Sequence, residues 1–340
     1  MTQEAKSRPV YEMPPSSFNG RWFTVSALVL VTVFVVCSQA LRFIFPMPHP
    51  QSYRSASLTM LSTQTQAIAI GSSHLAFGLD PAPFGGALVS LPAGAMDFGC
   101  EEAVLRRTLE RAPNVRLVIL EADVINLLVD SIDKSKGDFH QLYALGLTLD
   151  DLPMNGYAKL KQRAIESKLL YPIFFLKRLV PQAFVWEDAA TIAARREAGD
   201  AMLRGYVPSE DVINERNDGG VVVEFHKADY KKDHSKENEA ALIRILRAMR
   251  EQGRQVVLLR FPKHHSYWEY RPPEWERRYR EFIDRVKSEV PDGWVEWDYD
   301  RLSLPDDQFM DGHHMNRRGA EAFTELLKPK IEALLQTPAS

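Results

Sequence analysis

The stretch AIAIGSSHLAFGLDP, residues 67–81, joins a short apolar run to the tetrapeptide Gly-Ser-Ser-His. The run belongs to the segment QAIAI at 66–70, and continuous apolar runs of this length are typical of parallel strands buried on both faces. Gly71 permits a tight turn after the strand. That turn puts Ser72 and Ser73 at the carboxyl end of the sheet, where α/β folds bind ligands. A serine here is either the cap of the next helix or a nucleophile.

The same alternation of helices and apolar strands continues along the chain. An amphipathic helix is predicted at 101–112, followed by a strand at 115–120, VRLVIL. The later units are a helix at 236–253, a strand at 255–261, a helix near 273–289, a short strand near 294–297 and a closing helix near 317–336. Repeated strand–helix units predict an α/β fold with a doubly wound parallel sheet flanked by helices.

Residues 130–230 interrupt this rhythm and predict a mainly helical insertion. Within it, SKLLYPIFFLKRLVPQAF at 167–184 combines apolar and basic residues, and Pro172 and Pro181 make it too interrupted to span a membrane. The segment either packs under the sheet or forms an interfacial helix that contacts lipid or a membrane partner.

The N-terminal segment predicts a membrane anchor. Residues 22–41, WFTVSALVLVTVFVVCSQAL, carry no charge, and about 20 helical residues span a hydrocarbon layer of ~30 Å. We therefore expect a cytoplasmic tail at 1–21, one transmembrane helix at 22–45, a Pro-rich linker at 46–58 and a domain at 59–336. The alternative is a cleaved signal peptide. In both cases the domain lies outside the cytoplasm, in the periplasm or outside the cell, and with an uncleaved anchor the protein is single-pass in the cytoplasmic (inner) membrane.

Composition and charge narrow the class of protein. A formal net charge of −3, with acidic and basic residues mixed along the chain, gives no basic surface for nucleic acid, so no nucleic-acid partner is expected. The apolar fraction of 45% is enough for a sizeable core. Two cysteines, Cys37 and Cys100, predict neither a disulfide framework nor a cysteine-rich zinc site.

A candidate base for the serine lies near the other end of the chain, in FMDGHHMNRRGAEAF at 309–323. This loop precedes the closing helix and is expected at the same edge of the sheet. Asp311 is three residues before His314, close enough to accept a hydrogen bond from the imidazole and fix its tautomer. We expect no metal and no cofactor here, because His313 and His314 are adjacent in the chain and a third ligand is not evident.

The two motifs together resemble those of the SGNH/GDSL hydrolase superfamily. They are GSSH at 71–74 after a strand, and DGHHMN at 311–316 followed by Gly-Ala at 319–320. Within the superfamily, the chain is most similar to the membrane-anchored branch that contains the D-alanyl-lipoteichoic acid transfer protein and the alginate O-acetyltransferases. The resemblance covers roughly residues 60–125 and 250–330. It implies an SGNH-like, flavodoxin-like three-layer sandwich.

The resemblance also implies roles for individual residues. Ser73, the second serine of the motif, becomes the nucleophile, His314 the base and Asp311 the residue that orients the base. The backbone N–H groups of Ser73 and Gly94 are expected to form the oxyanion hole, with Gly99 as the second choice after Gly94.

Asp123 departs from the family pattern. It follows VRLVIL at the position where the family places an asparagine that donates to the oxyanion, and an ionised aspartate only accepts hydrogen bonds. As a carboxylate in the pocket, Asp123 would oppose the charge that develops on the substrate oxygen and slow the reaction. Otherwise, either burial keeps Asp123 protonated, so that it donates, or the side chain turns away and leaves the pocket to backbone N–H groups. We expect the second arrangement.

Substrate contacts are predicted from the sequence around the motifs. His74 follows the serines directly, and RFPKHHSYWEYRPPEW at 260–275 leaves the end of a strand with many aromatic and basic residues. His264, Tyr267 and Trp268 are the candidates in this loop for stacking on a sugar; simple loop packing is the alternative interpretation.

These observations predict an extracytoplasmic, membrane-anchored acyltransferase or esterase. Ser73 would take an acyl group, with acetyl as the expected one, and pass it to a hydroxyl of a surface polysaccharide or related glycan, or to water. The resemblance implies a membrane-bound O-acyltransferase as a partner that supplies the acyl group. The alternatives are a catalytically silent scaffold of a polysaccharide export or modification complex and a plain secreted esterase.

Overall fold

The computed structural model describes residues 57–94, 96–128, 204–229 and 233–336, together with 25, 26, 29, 30, 32, 33, 197 and 200–202. Two compact units divide the chain, residues 1–47 with 168–183 and residues 48–167 with 184–340. In the first unit the described residues are helical and exposed: Val25, Ser26, Val29, Leu30, Thr32 and Val33. The second unit carries the sheet.

Five parallel strands form one sheet in the second unit. They are β1 (Ala67–Gly71), β2 (Leu88–Pro92), β3 (Leu117–Glu121), β4 (Gln255–Arg260) and β5 (Trp294–Asp298). Their order across the sheet is β2-β1-β3-β4-β5, and every neighbouring pair is parallel. All five carboxyl ends therefore point to one edge, which is where the two sequence motifs lie.

Helices cover both faces of this sheet. They are α1 (Ser73–Gly78), α2 (Phe98–Arg111), α3 (Val124–Leu128), α4 (Gly219–Asp229), α5 (Ser235–Glu251), α6 (His265–Tyr270), α7 (Pro273–Glu289) and α8 (Arg317–Gln336). Alternate strand residues point to opposite faces. Accordingly, Ile68 and Ile70 join an apolar cluster with α2, α5 and α7, whereas Ala67 and Ala69 join a second cluster with α1 and α8.

The α/β fold predicted from the sequence is confirmed, including α7 at 273–289 and α8 at 317–336. Strand β2 was not predicted, because its sequence LVSLP contains a serine and a proline, and as an edge strand it pairs only with β1. The predicted linker at 46–58 ends too late, since Ser57 and Leu58 are buried and Leu58 belongs to the core.

Part of the predicted insertion at 130–230 is described, and it is not wholly helical. Residues 204–218 contain no helix, and α4 follows them. Backbone hydrogen bonds join Val207 to Ala76, and Arg317 to Ser209. The end of the insertion therefore lies against α1 and the start of α8, on either side of the predicted site.

No helix within the described part of the chain is both long and apolar enough to cross a membrane. The tail at 1–21, the anchor at 22–45, the linker before residue 57 and the segment at 167–184 lie outside the described residues, apart from the six helical positions of the first unit. The predicted membrane anchor therefore stays a prediction.

Candidate active site

The structure brings Ser73, His314 and Asp311 into one hydrogen-bonded chain. The Oγ atom of Ser73 is 2.8 Å from Nε2 of His314, and Nδ1 of the same imidazole is 2.8 Å from Oδ2 of Asp311. The side chains of His314 and Asp311 keep 12% and 16% of their surface exposed, so a ligand can reach them. This geometry is the one that lets a serine hydroxyl lose its proton to a histidine oriented by a carboxylate.

The two serines of the motif face in different directions. Ser72 is fully buried, and both its backbone N–H and its hydroxyl donate to the carboxylate of Glu121, each at 2.6 Å. Ser72 also accepts from the backbone N–H of His74 as the N-cap of α1. Ser72 is therefore the helix cap and Ser73 the serine that meets a base, which separates the two roles that the sequence left open.

Gly71 permits this arrangement through close packing. A Cβ atom at Gly71 would lie 2.5 Å from Cβ of Glu121 and 2.8 Å from its Oε2 atom, closer than any side chain tolerates. In the register of the two strands, Ile70 pairs with Leu120, so Gly71 and Glu121 follow side by side. Only glycine lets Glu121 reach under the serine turn.

The loop that carries the histidines is held from several sides. Oδ1 of Asp311 accepts the backbone N–H groups of His313 and His314 at 2.9 and 2.8 Å. Asn217, from the end of the insertion, accepts the N–H of Gly312 at 2.9 Å and donates its side-chain amide to the carbonyl of Met310 at 2.7 Å. Both carboxylate oxygens of Asp311 thus accept hydrogen bonds, Oδ1 from the loop backbone and Oδ2 from the imidazole of His314.

The surroundings of His314 and Asp311 favour the protonation states that general-base chemistry needs. Burial lowers the pKa of His314 below its ordinary value, although the hydrogen bond and charge of Asp311 act in the opposite direction. The pKa of Asp311 is lowered despite its burial, because His314 and two backbone N–H groups stabilise the charged carboxylate. At neutral pH the imidazole is therefore neutral and Asp311 ionised.

A second pairing of a histidine with a carboxylate lies beside the first. Nδ1 of His74 is 2.8 Å from Oε1 of Glu121, and Nε2 of His74 is 3.1 Å from Nδ1 of His313. The ring of His226, from α4, contacts that of His313 edge-on, with 4.8 Å between centroids. Burial and the neighbouring histidines lower the pKa of His313 well below its ordinary value, so this ring is neutral.

The carboxylate of Asp123 is held by Lys263 and by a backbone N–H group. Its carboxylate forms a buried ion pair with Lys263 and accepts the N–H of Val124 at 2.5 Å. Lys263 and Arg260 hold the pKa of Asp123 far below its usual range, although burial raises it. These cations favour the charged form of Asp123 over the protonated donor, and its position relative to an oxyanion stays a prediction.

The predicted oxyanion donors, the backbone N–H groups of Ser73 and Gly94, lie at the carboxyl edge of the sheet. Ser73 is the first residue of α1, and a helix supplies no acceptor for its first N–H groups. Gly94 lies just beyond β2, where the N–H of the preceding residue, Ala93, donates to Gly71 at 2.9 Å. Gly99, the second choice, is in the first turn of α2. Their roles at an oxyanion stay predictions.

The predicted substrate contacts in the aromatic loop at 260–275 fall into two groups. Tyr267 is buried, its ring is stacked at 6.4 Å on that of His313, and its hydroxyl is 3.3 Å from Nδ1 of His226. His264 caps α6 and contacts Ser266 and Asp306 instead. The ring of Trp268 is covered by the guanidinium groups of Arg271 and Arg301, at 4.0 and 4.9 Å. Tyr267 thus forms a wall of the site, whereas the contacts of His264 and Trp268 favour loop packing.

Three residues of the site were missed by sequence reasoning. Glu121 directly follows the apolar run at 115–120, Lys263 lies in the aromatic and basic loop at 260–275, and His226 lies in the insertion. The apolar strand before Glu121 was a usable signal, since a buried glutamate at the end of a strand needs a partner. No local pattern pointed to His226.

Comparisons with known proteins add little to this picture. A protein-family model matches residues 225–336, and that family is uncharacterised. The match covers about a third of the chain and includes the histidine loop but not the Ser73 turn. Among curated proteins, no match is found.

Proposed function

We propose that this chain is an extracytoplasmic serine acyltransferase or esterase that resembles the SGNH superfamily. The observation that carries the proposal is the unbroken contact from Ser73 through His314 to Asp311, with 2.8 Å at each step. The parallel strand order β2-β1-β3-β4-β5 supports it, because that order is the flavodoxin-like arrangement in which ligands bind at the carboxyl edge.

The chemistry is acyl transfer through a covalent intermediate. His314 takes the proton of Ser73 as Oγ attacks the carbonyl carbon of an acyl ester, forming a tetrahedral intermediate. The carbon–oxygen bond to the leaving alcohol then breaks, and His314 returns the proton to that alcohol. An incoming hydroxyl, from a glycan or from water, repeats these steps on the acyl-serine and regenerates the free serine. Asp311 keeps the imidazole oriented and stabilises its charged form.

The oxyanion in this proposal rests on backbone N–H groups alone. Asp123 is paired with Lys263 and offers no donor, so Ser73 and Gly94 are the donors proposed. One missing donor typically lowers the rate by ~10²- to 10³-fold. The missing donor slows transfer and hydrolysis alike, because both pass through the same kind of tetrahedral oxyanion, so the proposal includes both reactions.

The membrane context is also proposed rather than described. An anchor at 22–45 would hold the domain beside the bilayer in the periplasm or outside the cell, where a membrane-bound O-acyltransferase could load Ser73 and a polysaccharide could receive the acyl group. The interfacial interpretation of 167–184 is compatible with this placement.

The test is acyl-enzyme formation and ester turnover with p-nitrophenyl acetate, followed by intact-mass spectrometry. Wild type should gain one acetyl group on Ser73 and release p-nitrophenol. Ser73→Ala should lose both the acetyl group and the release of p-nitrophenol. Ser72→Ala, the matched control one residue away, should keep turnover within about tenfold of wild type, because the Ser72 hydroxyl donates to Glu121 and does not contact His314. Equal activity of wild type and Ser73→Ala would refute the enzyme and favour the silent scaffold.

A further inference from the structure

Three histidines from the two motifs converge at the carboxyl edge of the sheet. One ring nitrogen from each of His74, His313 and His314 lies within 4.8 Å of the other two, and Nε2 of His74 is 3.1 Å from Nδ1 of His313. Nitrogen ligands at ~2.0–2.1 Å from a tetrahedral zinc ion are about 3.3 Å apart. The first pair is close to that separation, and the nitrogen of His314 lies within 4.8 Å of both.

The expectation of no metal rested on the lack of a third ligand near the paired histidines. His74 supplies it from the far end of the sequence, 239 residues before His313. Adjacency in the chain does not keep the two histidines apart, since the rings of His313 and His314 lie 3.7 Å apart between centroids.

Two of the three rings already have the outer partners that metal-binding histidines use. Nδ1 of His74 contacts the carboxylate of Glu121, and Nδ1 of His314 contacts that of Asp311, each at 2.8 Å. Metal-binding histidines almost always donate their other ring N–H to a carboxylate, a backbone carbonyl or a water, and a donation from Nδ1 fixes the tautomer and leaves Nε2 free for the ion. In His74 and His314 the carboxylate selects Nε2 as the ligand atom.

We propose that His74, His313 and His314 form a binding site for one divalent transition-metal ion of the zinc class. The ligands are Nε2 of His74, Nδ1 of His313 and Nε2 of His314, and a fourth position is left for water or an exogenous ligand. Three imidazoles suit zinc, cobalt or nickel rather than calcium or magnesium, which prefer oxygen.

Occupation of this site competes with the serine. The nitrogen that His314 would give to the metal is the one that contacts Ser73 Oγ at 2.8 Å, so a bound ion removes the base from the nucleophile. The site therefore acts as a reversible metal-dependent block on acyl transfer. Binding itself does not depend on the proposed function, whereas the block does.

A second histidine cluster provides the comparison. His264, His265 and Asp306 also lie within reach of one another, but the side chains of His265 and Asp306 are 65% and 70% exposed. His264 already uses both ring nitrogens, for Ser266 and Asp306. The carboxylates that contact this cluster, Asp306 and Glu269, are exposed, and His265→Gln is the matched control for the site proposed here.

The test is calorimetric titration of the purified full-length protein with Zn²⁺ at pH 7.5, with Co²⁺ absorption to report nitrogen ligands in tetrahedral geometry. Wild type, Ser73→Ala and His265→Gln should each bind one equivalent with equal affinity. His74→Gln and His313→Gln should each weaken binding at least about 100-fold. Glu121→Gln should weaken it ~10- to 100-fold through the outer partner of His74.

His74→Gln and His313→Gln each remove a different ligand, so the test remains decisive if one variant fails to fold. Circular dichroism checks that each variant is folded. The proposal is overturned if wild type binds Zn²⁺ only in the millimolar range, or if His265→Gln abolishes binding while His313→Gln does not. Because Ser73→Ala has no nucleophile, its metal binding stands or falls separately from the acyl chemistry. Inhibition of wild-type ester turnover by stoichiometric Zn²⁺, reversed by a chelator, is the expected consequence.

Discussion

The carboxylate of Glu121 accepts both the backbone N–H and the hydroxyl of Ser72, each at 2.6 Å, in a fully buried contact between the ends of β3 and β1. The same carboxylate contacts His74 at 2.8 Å and the N–H of Leu75 at 3.3 Å. Its pKa is lowered although burial raises it, because His74 and Ser72 favour the charged form. One ionised side chain therefore shapes the turn that presents Ser73.

Glu121→Gln tests this positioning role. Glutamine replaces one accepting oxygen by an NH₂ group, which leaves buried donors of Ser72 or Leu75 without an acceptor at a cost of ~1–3 kcal/mol. We expect kcat for ester turnover to fall at least tenfold with KM little changed, because misplacement of a nucleophile by ~1 Å is costly. Glu102→Gln, in an exposed pair with Arg244, is the control and should match wild type. A change confined to stability would assign Glu121 a purely structural role.

The pH dependence of turnover reports on His314. Burial lowers its pKa, and a base with a lowered pKa stays unprotonated to lower pH. The acid limb of kcat/KM should therefore have its midpoint below ~6.5, the ordinary imidazole value. Rates measured from pH 4.5 to 8 on wild type check this, with enzyme stability confirmed at each pH. A midpoint at or above the ordinary value would contradict the burial argument.

Asp123→Asn separates charge pairing from catalysis. Removing one partner of a buried ion pair typically costs ~3–5 kcal/mol, and Lys263 would keep only Asp300 at 3.3 Å. We expect a loss of that order in urea unfolding, with specific ester turnover of the folded variant within about tenfold of wild type. Asp292→Asn, in an exposed pair with Arg250, should cost under ~1 kcal/mol. A gain of ~10²-fold in turnover would instead show that Asp123 opposes the oxyanion.

Gly312→Ala tests the close packing of the histidine loop against the backbone of Gly219. A Cβ atom there would lie 2.4 Å from Cα of Gly219, and neither backbone can yield without moving Asp311 and His314. Turnover should fall ~10²-fold through misalignment of the base. Gly220→Ala, where the nearest atoms are side-chain atoms at 3.3 Å, is the matched control and should stay near wild type. Equal effects of the two changes would refute the packing argument.

The proposed topology predicts which residues a protease can reach. Protease added outside intact spheroplasts should degrade the chain after residue 50 and spare an N-terminal fragment, detected by an epitope tag at the N-terminus. Protection of the C-terminal domain until the membrane is lysed would place that domain in the cytoplasm and contradict the proposal.

The sequence predicted the architecture well where burial alone determines it. β1, β3 and β4 are short apolar runs covered on both faces, so their composition identifies them, and α7 and α8 follow from helical periodicity. β2 was not predicted because an edge strand need not be a continuous apolar run, and LVSLP contains a serine and a proline.

The candidate site was predictable where both partners lie in recognisable motifs. Ser73, Asp311 and His314 are of that kind. The apolar strand marked Glu121 as a buried charge, but its place beside Gly71 follows from the pairing of β1 with β3, and the place of His226 follows from the path of the insertion. Such contacts depend on strand register and long-range packing, which no local pattern encodes.

Ser73 and His314 are separated by 241 positions in the chain, and this separation has a consequence for biosynthesis. At ~5–20 residues per second, the ribosome makes the base roughly 12–50 s after the nucleophile. A nascent chain that lacks its final segment contains the residues of β1 and β3 but lacks His314, the proposed base for Ser73. Under the proposed function, acyl chemistry is therefore withheld from incomplete chains until their final segment has been synthesised and folded.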